Sequence, residues 1–98
     1  MDSVKTLQVP VGQQAFPVRY RSLAGFGFHP GMALTLGDGN VLFCGQEALK
    51  PGLAAEVHLD AVKGVAPPLT LYVEVRTCEE DASSGYRMGG AIKGIRSV

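Results

Sequence analysis

Apolar and polar residues alternate with a period of two in several short stretches of this chain. In the clearest stretch, 69–78, leucines and valines occupy one set of alternate positions and mostly polar residues occupy the other. Successive side chains of a β-strand point to opposite faces, so this pattern predicts a strand with one buried face. In a helix, the same apolar residues would be scattered around the whole circumference.

Five further stretches show the same alternation or are short and strongly apolar, which gives six predicted strands. The stretch at 16–21 places Arg19 and Arg21 on its outer face, and the run at 40–44 is apolar enough to be buried on both faces. At 32–36, the even-numbered positions are expected to face inward. The side chains predicted to lie mostly inside are Val18, Tyr20, Leu34, Val41, Phe43, Val57, Leu59, Leu71, Val73, Val75, Met88 and Ile92.

Turn-forming residues separate these strands. Glycine, proline, aspartate and serine cluster at 37–40, 50–52 and 81–85, where the chain must reverse direction. No stretch has the pattern of a helix of three turns. Six short antiparallel strands in 98 residues predict an all-β domain, a small six-stranded antiparallel β-barrel.

Composition and charge narrow the function classes. Nine basic and nine acidic residues cancel, so the chain lacks the basic excess typical of proteins that hold nucleic acid polymers. No apolar stretch approaches the roughly 18–20 residues that span a bilayer, and the first residues resemble no export signal. We expect a cytoplasmic protein without membrane insertion. A flexible N-terminal arm (1–12), in which 4–9 could add a strand, would precede the barrel domain (13–98).

Residues suited to catalysis or metal binding are few. Cys44 and Cys78 are expected to be reduced and packed as small apolar groups, since no export signal accompanies them. The cysteines and the two histidines lack the short intervals of zinc sites, which predicts no metal. His58 and Asp60 share one strand face, where such pairs are usually solvated. We therefore predict no catalytic residue, no cofactor and no enzymatic activity.

Two segments are candidates for contact with a partner. Phe26 and Phe28 lie in a glycine-rich stretch. They either pack over the open end of the barrel, which we favour, or stay partly exposed as anchors for a partner. Glu79, Glu80 and Asp81 form an acidic run, which is typical of a solvated turn and alternatively forms a docking site for a basic partner.

Three segments, in order, resemble the PilZ family of bacterial β-barrel domains. They are 35–43 (TLGDGNVLF), 49–59 (LKPGLAAEVHL) and 86–95 (YRMGGAIKGI), and the long alternating strand lies between the last two, as in the family. The resemblance covers residues 13–95. It implies a PilZ-like barrel and a regulatory role in cyclic di-GMP signalling, for example in motility, pili or secretion.

The resemblance also locates the family's ligand-binding positions, at which this chain has other residues. Family members bind cyclic di-GMP through an RxxxR motif before the first barrel strand and a [DN]xSxxG motif in the strand–turn–strand segment that corresponds to 35–43 here. Here the two arginine positions fall on Gln13 and Pro17, and the three turn positions are occupied by Thr35, Gly37 and Asn40. The resemblance therefore implies weak or absent binding of cyclic di-GMP.

Three hypotheses for the function follow, of which the first is favoured. In the first, the chain is a PilZ-type adaptor that acts through contact with a partner protein. In the second, it is a cyclic di-GMP receptor that holds phosphate with non-canonical residues, Arg19 and Arg21. In the third, it is an unrelated small β-barrel with a scaffold or enzymatic role.

Overall fold

The structure, a computed structural model, describes residues 6–7, 16–60 and 68–97. Within these ranges every regular element is a β-strand. No helix long and apolar enough to cross a membrane occurs in the described ranges. The strands are β1 (Thr6–Leu7), β2 (Phe16–Ser22), β3 (His29–Gly37), β4 (Asn40–Gly45), β5 (Ala54–Leu59), β6 (Leu69–Asp81) and β7 (Gly85–Ser97).

Six of the strands close into an antiparallel barrel, which confirms the predicted architecture. The order around the barrel is β2–β3–β4–β7–β6–β5, and β5 pairs back onto β2. The short β1 lies beside the end of β3, opposite Leu36 and Gly37. It falls within 4–9, where the sequence allowed an added strand. The rest of the predicted arm at 1–12 lies outside the described residues.

The barrel encloses one apolar core. Tyr20, Phe43, Leu71 and Met88 are its largest side chains and are fully buried. Removal of such apolar surface from water is the main force that holds a small barrel together. Of the twelve side chains predicted to lie inside, ten are buried, and Ile92 packs against the core from a partly buried position. One of these twelve predictions is therefore wrong.

That error is Leu34, and a β-bulge explains it. The pairing of β3 with β4 skips one residue between Ala33 and Thr35. An extra residue of this kind shifts the alternation of a strand by one position. Ala33 before the bulge and Leu36 after it are therefore buried, whereas Leu34 is only half-buried. Met32 is half-buried as well, so the expectation that Met32 and Leu34 face inward was wrong. Strict alternation does not allow for an inserted residue.

The two ends of the barrel are closed in different ways. At one end, here called the turn rim, Asp38 and Gly39 join β3 to β4 with positive φ angles of 55° and 77°. Two such residues form the tight hairpin turn that the sequence predicted. At the other end, the loop rim, lie the loops 23–28 and 46–53. The second loop contributes Leu49 to the core and so closes this end.

β4 is less buried than predicted. Val41 and Phe43 belong to the core, but Leu42 is half-buried on the outer face and Asn40 is exposed. The expectation that this run is buried on both faces was therefore wrong at Leu42. The outer face of β4 is part of the barrel surface, and Leu42 lines a groove there.

Candidate functional site

Arg19 and Arg21 lie on the outer wall formed by β2 and β5, as the alternating pattern predicted. The Arg19 guanidinium is 3.5 Å from the carboxylate of Asp60, and Arg21 Nε donates to Glu56 Oε1 at 3.1 Å. Each guanidinium already has a carboxylate partner. Binding of a phosphate by either arginine would therefore replace an existing ion pair.

Glu56 connects this wall to a chain of hydrogen bonds. His58 Nε2 lies 3.2 Å from Glu56 Oε1, and His58 Nδ1 lies 3.0 Å from Thr70 Oγ1. Burial alone would raise the pKa of Glu56, but the hydrogen bonds of His58 and Arg21 and the charge of Arg21 outweigh it and lower the pKa below its usual value. His58 therefore pairs with Glu56 rather than with Asp60, its neighbour on the strand face.

A hydroxyl, an imidazole and a carboxylate in this order resemble the groups that activate a nucleophile in hydrolases. Thr70, however, is only 3 % exposed. A substrate carbonyl has no path to a hydroxyl in that position. The hydrogen bonds instead satisfy polar groups beneath the surface and tie β5 to β6.

Phe28 covers the same wall from outside. Its ring lies edge-on to His58, with ring centroids 4.7 Å apart. The guanidinium carbons of Arg21 and Arg19 lie 4.8 Å and 5.7 Å from its centroid, within the range of cation–π attraction. Phe28 thus packs against the outer wall while 38 % of it stays exposed, and it does not cover the open end of the barrel, the arrangement favoured from the sequence.

Phe26 projects into solvent from the loop between β2 and β3. The residue is 96 % exposed, so the interpretation that it packs over the barrel end is wrong. The loop is held at its base by Ser22, whose hydroxyl accepts from the Ala24 N–H and whose carbonyl accepts from the Gly25 N–H. Aromatic residues are enriched at protein–protein interfaces relative to the rest of the surface.

The turn positions that correspond to the family's ligand motif line a surface groove of about 440 Å³. Thr35, Gly37 and Asn40 line it together with Arg76. Within the described ranges, the carboxylate partner of Arg76 is Glu74, at a long 3.5 Å. The structure therefore brings the substituted turn positions together with a cation that the resemblance did not single out.

The other candidate positions do not join this groove. Pro17 is exposed on β2 and pairs with Met32 of β3, and Gln13 lies outside the described residues. Arg19 and Arg21 lie on the wall of β2 and β5, whereas the groove is centred on β4 and β7, on the other side of the barrel. The arginine candidates and the turn candidates therefore occupy different surfaces.

The acidic run lies at the end of the hairpin formed by β6 and β7. Glu79 and Glu80 are exposed, whereas Asp81 is tied into the turn. The Asp81 carboxylate accepts from the Ser83 hydroxyl at 2.8 Å and the Ser83 N–H at 3.0 Å, and it pairs with Arg87 at 2.9 Å. The Ser83 hydrogen bonds, with a smaller contribution from the Arg87 charge, lower the pKa of Asp81 to about 2. Asp81 therefore stabilises the hairpin, whereas Glu79 and Glu80 point no carboxylate into the turn.

The two cysteines are free and take part in packing. Cys44 is buried, and Cys78 packs against the core from a partly buried position. Both therefore contribute apolar surface, in keeping with the usual behaviour of a free thiol. Among the residues that the structure describes, no group of three or more metal-binding side chains lies together.

The sequence pattern does not mark Arg76, Glu56 or Thr70 as parts of a site. Each is a polar residue in an alternating strand, where solvent exposure is the default expectation. Only the pairing of β5 with β2 and β6 places Glu56 beside Arg21 and Thr70 beside His58. No local signal in the chain marks these residues, because their neighbours come from distant segments.

Comparisons of the chain with protein families, with curated proteins and with solved structures find no match. The resemblance to the PilZ family therefore rests on the three sequence segments and their order along the chain.

Proposed function

We propose that this domain is a non-catalytic, cytoplasmic regulatory adaptor of PilZ type that binds a partner protein in a bacterial signalling process such as motility control. The observation that carries the proposal is the loop 23–28. Among the described residues, it holds three of the four exposed large apolar side chains, Leu23, Phe26 and Phe28. Exposed apolar surface concentrated in one loop is typical of a protein-contact site.

The arginines beside the loop supply the polar part of such a site. Arg19 and Arg21 flank the ring of Phe28. Aromatic residues and arginine are the types that contribute most binding energy at protein interfaces. In the proposed contact, Phe26 is the apolar anchor and the two guanidiniums orient the partner.

The contact is tested by capture of a partner from an extract of the native host, with the captured protein identified by mass spectrometry. Phe26→Ala should abolish capture. Ile95→Ala is the matched control, because Ile95 is also an exposed apolar residue but lies on β7 outside the loop. Equal capture by the wild-type domain and both variants would contradict a contact site at this loop.

The proposal includes weak or absent binding of cyclic di-GMP. Charge-assisted hydrogen bonds from guanidinium to phosphate contribute about 1.5–3 kcal/mol each. Replacement of two arginines, a carboxylate and a serine hydroxyl removes on the order of 5–8 kcal/mol of contact energy. At about 1.4 kcal/mol per tenfold change, affinity falls by more than a thousandfold. Calorimetric titration should therefore be flat up to about 100 µM dinucleotide.

A second candidate, reception of cyclic di-GMP by non-canonical residues, is favoured by the position of Arg76 in the groove beside Thr35 and Asn40. Saturable low-micromolar binding that Arg76→Ala abolishes would establish this candidate. Loss of such binding in an Arg19→Ala, Arg21→Ala variant would instead place the phosphates on the wall of β2 and β5.

A further inference from the structure

β6 extends past the start of β5 at the loop rim and has one edge without a neighbouring strand in the described part of the chain. β5 pairs with β6 only as far as Glu74, and the loop 46–53 adds two backbone hydrogen bonds, both to Val75. From Thr77 to Asp81, β6 pairs with β7 alone. This stretch therefore presents unpaired backbone N–H and C=O groups, which are the template for addition of another strand.

The exposed stretch is held in strand geometry at both ends. At its start, Thr77 Oγ1 accepts a hydrogen bond from the backbone N–H of Gly89 at 3.1 Å. At its end, Asp81 is fastened to Ser83 and Arg87 in the hairpin turn. A pre-formed edge binds an extended segment with less loss of conformational entropy than a mobile one.

The edge carries negative charge that the described residues do not compensate. Glu79 stands opposite Arg87 in the pairing of β6 with β7, but Arg87 forms its ion pair with Asp81 instead. Neither Glu79 nor Glu80 has an ion-pair partner within the described ranges. An approaching strand that carries lysine or arginine is therefore complementary to this edge.

The position of the edge favours an occupant from outside the barrel. The undescribed ranges join the barrel through β1, the start of β2, the end of β5, the start of β6 and the end of β7. All of these points lie towards the turn rim, since β1 pairs with the end of β3 and Leu69 pairs with Ser97. The stretch 77–81 lies at the opposite, loop rim.

We infer that residues 77–81 bind an extended basic segment of a partner protein by addition of a strand to β6. The inference rests on the proposed adaptor function, because it names the chemistry of a partner, but it uses a surface separate from the loop 23–28. Main-chain hydrogen bonds supply affinity. Because neighbouring strand residues point to opposite faces, Glu79 and Glu80 select two adjacent basic residues in the partner.

The probe for this surface is the acetylated and amidated hexapeptide Thr-Val-Lys-Lys-Val-Thr. Amide hydrogen exchange, followed by NMR, should show new protection within 77–81 and saturable binding that weakens as salt is added. The counterpart with two glutamates in place of the lysines should give no protection. A version N-methylated at every amide keeps both charges but loses its donors, and it should not bind. Equal binding by the methylated version would overturn strand addition.

Matched double variants test the role of charge. The double variant Glu79→Gln, Glu80→Gln should bind the lysine peptide about three- to tenfold more weakly than the wild-type domain. The control double variant Asp60→Asn, Glu74→Gln removes the same number of charges at positions away from the edge. It should change the affinity for the peptide by less than about twofold. Equal effects of the two double variants would contradict recognition at Glu79 and Glu80.

Two further outcomes separate this inference from its alternatives. Protection of 77–81 that grows with protein concentration in the absence of peptide would identify a second copy of the chain as the occupant and overturn a foreign partner. Phe26→Ala should leave peptide binding unchanged. If Phe26→Ala loses partner capture but still binds the peptide, both the loop 23–28 and the edge 77–81 are supported as contact surfaces. If the peptide at millimolar concentration does not protect the amides of 77–81, the edge site alone is overturned.

Discussion

The Tyr20 hydroxyl binds both backbone groups of Glu47, donating to the carbonyl oxygen at 2.7 Å and accepting from the N–H at 2.9 Å. Tyr20 lies inside the barrel on β2, and Glu47 lies in the loop 46–53, so this contact fastens the loop across the loop rim. Burial raises the pKa of Tyr20, which keeps the hydroxyl protonated and able to donate. One hydroxyl thus positions the loop that carries Leu49 into the core.

Tyr20→Phe should destabilise the domain by about 1–3 kcal/mol, because it leaves the two Glu47 backbone groups without their partner. Urea denaturation measures the change in the free energy of unfolding. Tyr72→Phe is the control, since Tyr72 is only half-buried on the outer side of β6, and its effect should stay below about 0.5 kcal/mol. Equal effects of the two substitutions would contradict this role of the Tyr20 hydroxyl.

Gly45→Ala should also destabilise the loop rim, because a Cβ at this position would collide with the ring and hydroxyl of Tyr20. Overpacking of this kind costs about 1–3 kcal/mol. Gly94→Ala offers a matched control in another strand, where the Cβ would meet Tyr72 at an ordinary 3.6 Å. Thermal unfolding should show a lower melting temperature for Gly45→Ala than for Gly94→Ala, and the opposite order would refute the close approach.

Neighbouring substitutions on β3 test the bulge. Ala33→Asp buries a carboxylate without a partner and should cost several kcal/mol, enough to unfold a domain of ordinary stability. Leu34→Asp places the same group on the half-buried outer side and should leave the domain folded. Circular dichroism distinguishes the two variants. If the Ala33→Asp variant is folded and the Leu34→Asp variant is unfolded, β3 alternates strictly and the bulge is contradicted.

Ser83→Ala should raise the pKa of Asp81 from about 2 towards its ordinary 3.8, because the Ser83 hydroxyl makes the largest contribution to the shift. Arg87→Gln should raise it by less. NMR titration of the Asp81 carboxyl carbon measures both changes. A larger effect of Arg87→Gln would show that charge rather than hydrogen bonding controls this carboxyl.

The same shift defines a pH dependence. The folded pKa of Asp81 is lower than the unfolded one, so the ionised carboxylate stabilises the folded state. This stabilisation is fully present above about pH 4 and is lost as the pH falls towards 2. Asp81→Asn should flatten the stability profile within that window and leave its slope near neutral pH unchanged.

Phe28→Ala should destabilise the domain by about 1–2 kcal/mol, because it removes the contacts of the ring with His58 and the two guanidiniums. Phe26→Ala should cost less than about 0.5 kcal/mol, since the ring lies in solvent. Chemical denaturation of the two variants compares them directly. A cost for Phe26→Ala as large as that for Phe28→Ala would place Phe26 in a packed position.

The strands and turns were predictable from the sequence because their determinants are local. Alternation over 69–78 depends on residues two positions apart, and the positive φ angles of Asp38 and Gly39 depend on those residues themselves. The count of short strands then predicted closure into a barrel. The bulge at Leu34 was not predictable, because the partner strand β4 decides which residue remains unpaired.

The candidate site was less predictable than the fold. The alternating pattern placed Arg21 on an outer face, but it did not show that Glu56, 35 positions away, would be its partner. It also did not distinguish Phe28, which packs on that wall, from Phe26, which is exposed. Alternation assigns a residue to the inner or outer face of its own strand. The pairing of β2 with β5 decides which residues meet on the outer face. Contacts between segments distant along the chain form only through the tertiary fold.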